Sequence, residues 1–114
     1  MDARQLRNEA EKLRRTADSR HKEANRFQTN ADAHASDGDD VRAGIDAQQA
    51  ERMEAEAAAM EQQAEQADVA LSAVAARVHH LNTEKAQLES EFKEKIANID
   101  KEIQRLTGGA TGLL

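Results

Sequence analysis

Two heptad patterns of hydrophobic and polar residues cover most of the chain, and each predicts a long helix. Between residues 3 and 31 an alanine recurs every seven residues. A second series at the same interval consists of Leu6, Leu13, Arg20, Phe27 and His34. A pattern of five heptads is typical of a coiled-coil face rather than of a helix in a globular domain. Because small side chains alternate with larger ones, a partner helix can approach closely.

The second pattern runs from Met53 to Leu106 in alternating steps of four and three residues. Two consecutive steps of four meet at Phe92 and form a stutter, which locally unwinds a left-handed supercoil. Residues 79–83 are the one candidate hinge, but they contain neither Gly nor Pro and the heptad phase continues through them. The pattern therefore favours a continuous second helix.

Glycine and aspartate mark the predicted boundaries. Gly38 lies within the segment SDGDD, where it can adopt the left-handed conformation that ends a helix, and an aspartate that follows it can cap the next helix. The predicted organisation is a first helix at 1–36, a turn at 37–40, a second helix at 41–107 and a flexible tail at 108–114. This is an all-α antiparallel helical hairpin of unequal arms, a coiled coil whose second helix is long and extended. The alternative is a three-helix bundle with a break near 80–83.

Charge supports pairing between the two arms. Residues 1–35 hold eight basic and six acidic residues, whereas residues 36–76 hold two basic and ten acidic residues. Opposite charge selects the partner helix more than it stabilises the pair. The predicted intrachain seam consists of Ala3, Leu6, Ala10, Leu13, Ala17, Ala24, Phe27, Ala31, Met53, Ala57, Met60, Ala64 and Ala67. Arg20 and His34 interrupt the seam, and we expect them to reach solvent or a carboxylate.

The first helix can cover the second only to about residue 75. Eleven of the 18 Leu, Ile, Val and Phe residues lie at 69–106, mostly beyond that point. An apolar stripe of this length left in water is an association surface or an aggregation hazard. We therefore predict that 76–107 forms an oligomerisation coiled coil. The predicted protein interface consists of Val74, Val78, Leu81, Leu88, Phe92, Ile96, Ile99, Ile103 and Leu106.

Composition excludes several classes of protein. Ala, Glu, Lys, Leu and Arg make up 60 of the 114 residues, as in coiled coils, and the chain has no Cys, Trp, Tyr or Pro. A disulfide scaffold, a cysteine zinc site and a thiol nucleophile are therefore excluded. No stretch is apolar enough for a membrane span, and the N-terminus lacks the apolar region of a secretory signal. The expected location is the cytoplasm, or a particle assembled there.

No motif indicates catalysis, a cofactor or a small-molecule substrate. Asp18 and His21 have a spacing that could hold a metal by two ligands, but an ion pair in solvent is the simpler interpretation. His79 and His80 point about 100° apart on a helix and cannot bind one metal together. The aspartates of the turn lack the register of a calcium-binding EF-hand loop. We expect no catalytic residue, no cofactor-binding residue and no metal ligand.

Nucleic-acid and membrane binding are not expected either. Residues 4–26 hold eight basic side chains, but acidic residues are interleaved with them and only Phe27 is available to stack on bases. The first helix offers alanine rather than bulky apolar groups to a membrane surface. The sequence thus predicts a non-enzymatic structural or assembly protein that forms a homo-oligomer or binds a partner helical protein, for example within a virion or a secretion apparatus. The alternative is a helical-hairpin chaperone or adaptor that binds a client through residues 69–106.

Overall fold

A computed structural model describes residues 1–108 of the protein. These residues form two α-helices, α1 (Ala3–Ser36) and α2 (Asp40–Thr107), and contain no strand. The predicted fold class, an all-α helical hairpin, is confirmed. The predicted tail at 108–114 lies outside the described residues, apart from Gly108.

The start of α1 is determined by a reciprocal pair of hydrogen bonds. The backbone N–H of Gln5 donates to the Asp2 carboxylate over 2.8 Å, and the backbone N–H of Asp2 donates to the Gln5 side-chain oxygen over 2.8 Å. This capping box satisfies two donors that the first turn of a helix leaves unpaired. The sequence therefore specifies where α1 begins through two side chains.

The turn between the helices depends on Gly38, which has a φ of 79°. Its N–H donates to Ala35 O over 3.1 Å, and the N–H of Asp39 donates to His34 O over 2.8 Å. These two bonds form a Schellman motif, which ends α1. Asp39 then caps α2, because its carboxylate accepts from the backbone N–H of Arg42 over 3.1 Å. The chain thus reverses direction within a few residues.

Met1–Ala75 form one compact unit, in which α1 packs along the first part of α2. The two helices are antiparallel: His34 of α1 pairs with Asp46 near the turn, and Arg14 pairs with Asp68 far from it. The core is a seam of nine buried residues, eight of them alanine: Leu6, Ala10, Ala17, Ala24, Ala31, Ala50, Ala57, Ala64 and Ala67. Because alanine is small, the seam allows the two helix backbones to approach closely.

The second unit begins at Ala76. Its described residues are helical through Thr107, and every residue from 76 to 106 is exposed. Residues 79–83 belong to α2 without interruption, and the Thr83 hydroxyl donates to the carbonyl of His79 over 3.0 Å within the helix. The alternative of a break near 80–83 is therefore wrong.

Candidate protein-interaction surface

Eight large apolar side chains form a stripe on the second unit. They are Val78, Leu81, Leu88, Phe92, Ile96, Ile99, Ile103 and Leu106, and they are between 43 % and 70 % exposed. At about 100° per residue, all eight lie within roughly 40° of the direction of Phe92 around the helix axis. Lys85 occupies the one polar position within the same face. We call these eight residues the apolar stripe.

Charged side chains border the apolar stripe on both edges. They are Glu84, Glu89, Glu91, Lys93, Lys95, Asp100 and Glu102, and all are exposed. Glu102 also accepts hydrogen bonds from Arg105 on the same helix, at 2.5 and 3.2 Å. This hydrogen bonding raises the pKa of the Arg105 guanidinium above its ordinary value. The surface therefore has an apolar centre and charged margins, which is the pattern of a coiled-coil seam.

Val74 differs from the other eight residues of the predicted interface. It is half-buried and packs, with Leu13, Ala70 and Leu71, against the core cluster of the hairpin. That cluster consists of Leu6, Ala10, Ala64 and Ala67. Val74 thus contacts the hairpin, and the exposed part of the predicted interface begins at Val78.

The predicted intrachain seam lies between α1 and α2. Eight of its thirteen residues are buried: Leu6, Ala10, Ala17, Ala24, Ala31, Ala57, Ala64 and Ala67. The other five are half-buried: Ala3, Leu13, Phe27, Met53 and Met60. Ala50 is buried as well, at 6 % exposure, and the sequence interpretation did not include it.

Ion pairs connect the two helices beside the seam. Arg14 hydrogen bonds to Asp68, which raises the pKa of the Arg14 guanidinium. Arg20 Nε lies 3.2 Å from a carboxylate oxygen of Glu56. Arg20, which interrupts the predicted seam, therefore reaches a carboxylate as expected. The paired groups are about a third to a half exposed, and such pairs contribute only modestly to stability. Their effect is to align basic α1 with acidic α2.

His21 makes the most extensive polar contact between the helices. Its Nδ1 lies 2.8 Å from Glu54 Oε2, and its Nε2 lies 2.5 Å from Glu61 Oε1. A neutral imidazole has one donor, so two carboxylate contacts favour the protonated ring. Hydrogen bonding to Glu61, and then to Glu54, raises the pKa of His21 above its ordinary value.

Sequence reasoning paired His21 with Asp18 and missed its contacts with α2. The available signal was the spacing of Glu54 and Glu61, because residues seven apart lie on one face of a coiled-coil helix. No group of three or more potential ligands within residues 1–108 could hold a metal ion. No helix in the described part of the chain combines the length and apolar character needed to cross a bilayer.

No family model, curated protein or solved structure matches the chain.

Proposed function

We propose that this protein is a non-enzymatic structural or assembly protein that self-associates through the apolar stripe. The supporting observation is the exposure of eight large apolar side chains on one face of a regular helix. Single exposed apolar residues are ordinary on protein surfaces, but a row of eight that is interrupted only by Lys85 is typical of an interaction site. The proposed site of action is the cytoplasm or a particle assembled there.

The spacing of the apolar stripe favours another helix as the occupant. Steps of three and four residues are the seam spacing of a coiled coil, in which each side chain packs between residues of a facing helix. A flat or irregular partner surface would not use this periodicity. The charged margins fit the same interpretation, since residues at the edges of a coiled-coil seam select the partner and its orientation.

The energy available from the apolar stripe is sufficient for association. Full burial of a large apolar side chain contributes about 1.5–3 kcal/mol, so burial of half of each of eight contributes about 6–12 kcal/mol per chain. Two identical chains would together gain about 12–24 kcal/mol. Association costs about 4–15 kcal/mol in lost translational and rotational freedom. The gain exceeds the cost over most of this range, so a second copy alone can cover the stripe.

The test is the mass of the protein in solution, measured by light scattering with and without charges in the apolar stripe. Replacement of Ile99 and Ile103 by Asp should dissociate the oligomer while circular dichroism stays largely helical. The matched control is Ala97→Asp with Gln104→Asp, which adds the same two charges to exposed positions on the opposite face. The control should keep the wild-type mass.

A monomeric wild-type protein would contradict self-association. It would favour the alternative, in which a chaperone or adaptor presents residues 69–106 to a client helix. Val69 is 70 % exposed but lies off the apolar stripe, on a different face of α2. Replacement of Val69 by Asp should therefore leave the mass unchanged if the stripe is the interface.

A further inference from the structure

The apolar stripe has the same spacing when it is read from either end. On each side of Phe92 the next stripe position is four residues away, and the following positions come after three, four and three residues. The equidistant pairs are Leu88 and Ile96, Lys85 and Ile99, Leu81 and Ile103, and Val78 and Leu106. A second helix of the same sequence, laid antiparallel with Phe92 opposite Phe92, therefore presents a seam residue at every level. The stutter falls at the centre, where both copies share it.

We propose that the apolar stripe binds a second copy of this chain in antiparallel orientation, about a two-fold axis at Phe92. The proposal rests on the proposed function, because it specifies the partner and the orientation of the same surface. The interface is isologous: each contact made by one copy is repeated by the other. It needs no other component, since the two stripes cover each other.

Charges around Phe92 support this orientation. Glu89 and Glu91 precede it, and Lys93 and Lys95 follow it. At about 100° per residue, Glu89 and Lys93 lie on one edge of the stripe, and Glu91 and Lys95 lie on the other. The two-fold axis places each edge of one stripe beside the same edge of the second copy. Each glutamate therefore lies near the lysine that shares its edge: Glu89 near Lys93 and Glu91 near Lys95 of the second copy. Each of the four pairs is offset by two residues, or about 3 Å along the axis.

Lys85 also distinguishes the two orientations. In the antiparallel pair it lies opposite Ile99 of the second copy, and Asp100 of that copy is at nearly the same level and available to its ammonium group. In a parallel pair in register, Lys85 lies opposite Lys85. A parallel pair also brings Glu89 of one copy to the edge that carries Glu91 of the other. Like charges at these positions disfavour the parallel pair.

Like-charged contacts also occur in the antiparallel pair. Glu84 lies near Glu102 of the second copy, and Glu91 and Lys93 each lie two residues along the axis from their own equivalents. Glu102 already accepts two hydrogen bonds from Arg105 of its own helix. This cation offsets the negative charge at the contact. Glu91 and Lys93 point about 100° away from Phe92, whereas Glu89 and Lys95 lie about 60° from it, so the opposite-charge partners are closer across the seam than the like-charged ones.

Disulfide trapping in the full chain tests the orientation, because the native sequence has no cysteine. Leu88→Cys and Ile96→Cys are prepared separately, and each is oxidised alone and as an equimolar mixture. Cross-linked dimer is expected only in the mixture, since residue 88 lies opposite residue 96. Ser90→Cys, on the outer face, is the matched control and should not cross-link to itself or to either variant. Cross-linking of Leu88→Cys alone would overturn the antiparallel orientation and leave the proposed function intact.

A second measurement avoids changes to the apolar positions. Lys93→Glu with Lys95→Glu removes the four opposite-charge contacts around Phe92 and should weaken the dimer about tenfold or more in sedimentation equilibrium. Adding Glu89→Lys and Glu91→Lys exchanges the charges and should restore wild-type association. An unchanged dissociation constant in the double variant would overturn the proposal. A wild-type monomer would overturn both this proposal and the proposed function.

Discussion

Replacement of Ala64 by Leu tests whether close approach of the helices depends on alanine. Ala64 is fully buried, in a cluster with Leu6, Ala10 and Ala67. A leucine adds three carbon atoms where the neighbouring methyl groups leave no room, and such overpacking typically costs about 1–3 kcal/mol. Ala58→Leu is the matched control, because Ala58 is exposed on the same helix. Since Ala and Leu are both strong helix formers, this control should change stability by less than about 0.5 kcal/mol.

The assay is urea unfolding followed by circular dichroism, at one protein concentration because association also stabilises the folded state. Amide hydrogen exchange in α1 reports on the stability of the hairpin alone, because α1 lies within the hairpin whereas α2 continues beyond it. We expect Ala64→Leu to lower the free energy of unfolding and to speed exchange around Leu6, whereas Ala58→Leu does neither. If the two variants are equally stable, the alanine seam does not limit the helix separation and our account of the core is wrong.

Three further predictions concern single positions. Carboxylate contacts raise the pKa of His21 in the folded state, so the stabilising effect of His21 is complete below the unfolded pKa of about 6.5 and is lost as the pH rises through the folded pKa. The wild-type melting temperature should therefore fall as the pH rises above about 6.5, and His21→Gln should remove this component. Gly38→Ala should lower the free energy of unfolding in urea by about 1–2 kcal/mol, because Gly38 has a φ of 79°. Gly44→Ala should raise it by about 0.5–1 kcal/mol, because Gly44 lies within α2 and no atom is near the added carbon. Changes of the opposite signs would contradict the turn geometry. Asp2→Ala should cost about 0.5–2 kcal/mol and increase exchange at the start of α1, and unchanged exchange there would mean that the capping box contributes nothing.

The hairpin was predictable because its determinants are local and periodic. Alanine at every seventh position defines a face, and Gly38 between aspartates defines a chain reversal. Both features depend on the residue type itself: only a small side chain permits close packing, and glycine adopts a positive φ without steric cost. The capping box of Asp2 and Gln5 could be recognised from spacing for the same reason.

Contacts across the seam were harder to predict, because they depend on the register between the helices. Heptad spacing places Glu54 and Glu61 on one face but does not specify which α1 side chain lies between them. Ala50 was missed because the hydrophobic pattern was taken to begin at Met53, although Ala50 is one heptad before Ala57. Val74 lies in α2 beside the first turns of α1, and whether such a residue packs against the hairpin also depends on this register.

The tight turn at Gly38 has a consequence for folding kinetics. Contacts nearest the turn join residues close in the chain, as His34 and Asp46 are, whereas His21 and Glu54 are 33 residues apart and Arg14 and Asp68 are 54 apart. Once the pairs near the turn have formed, each later pair closes only a short additional loop and loses little further chain entropy. We therefore expect α1 and α2 to pair progressively from the turn outwards, at the microsecond-to-millisecond rates of helical proteins with local contacts. Formation of the hairpin is then independent of protein concentration, and any concentration-dependent phase reports on association alone.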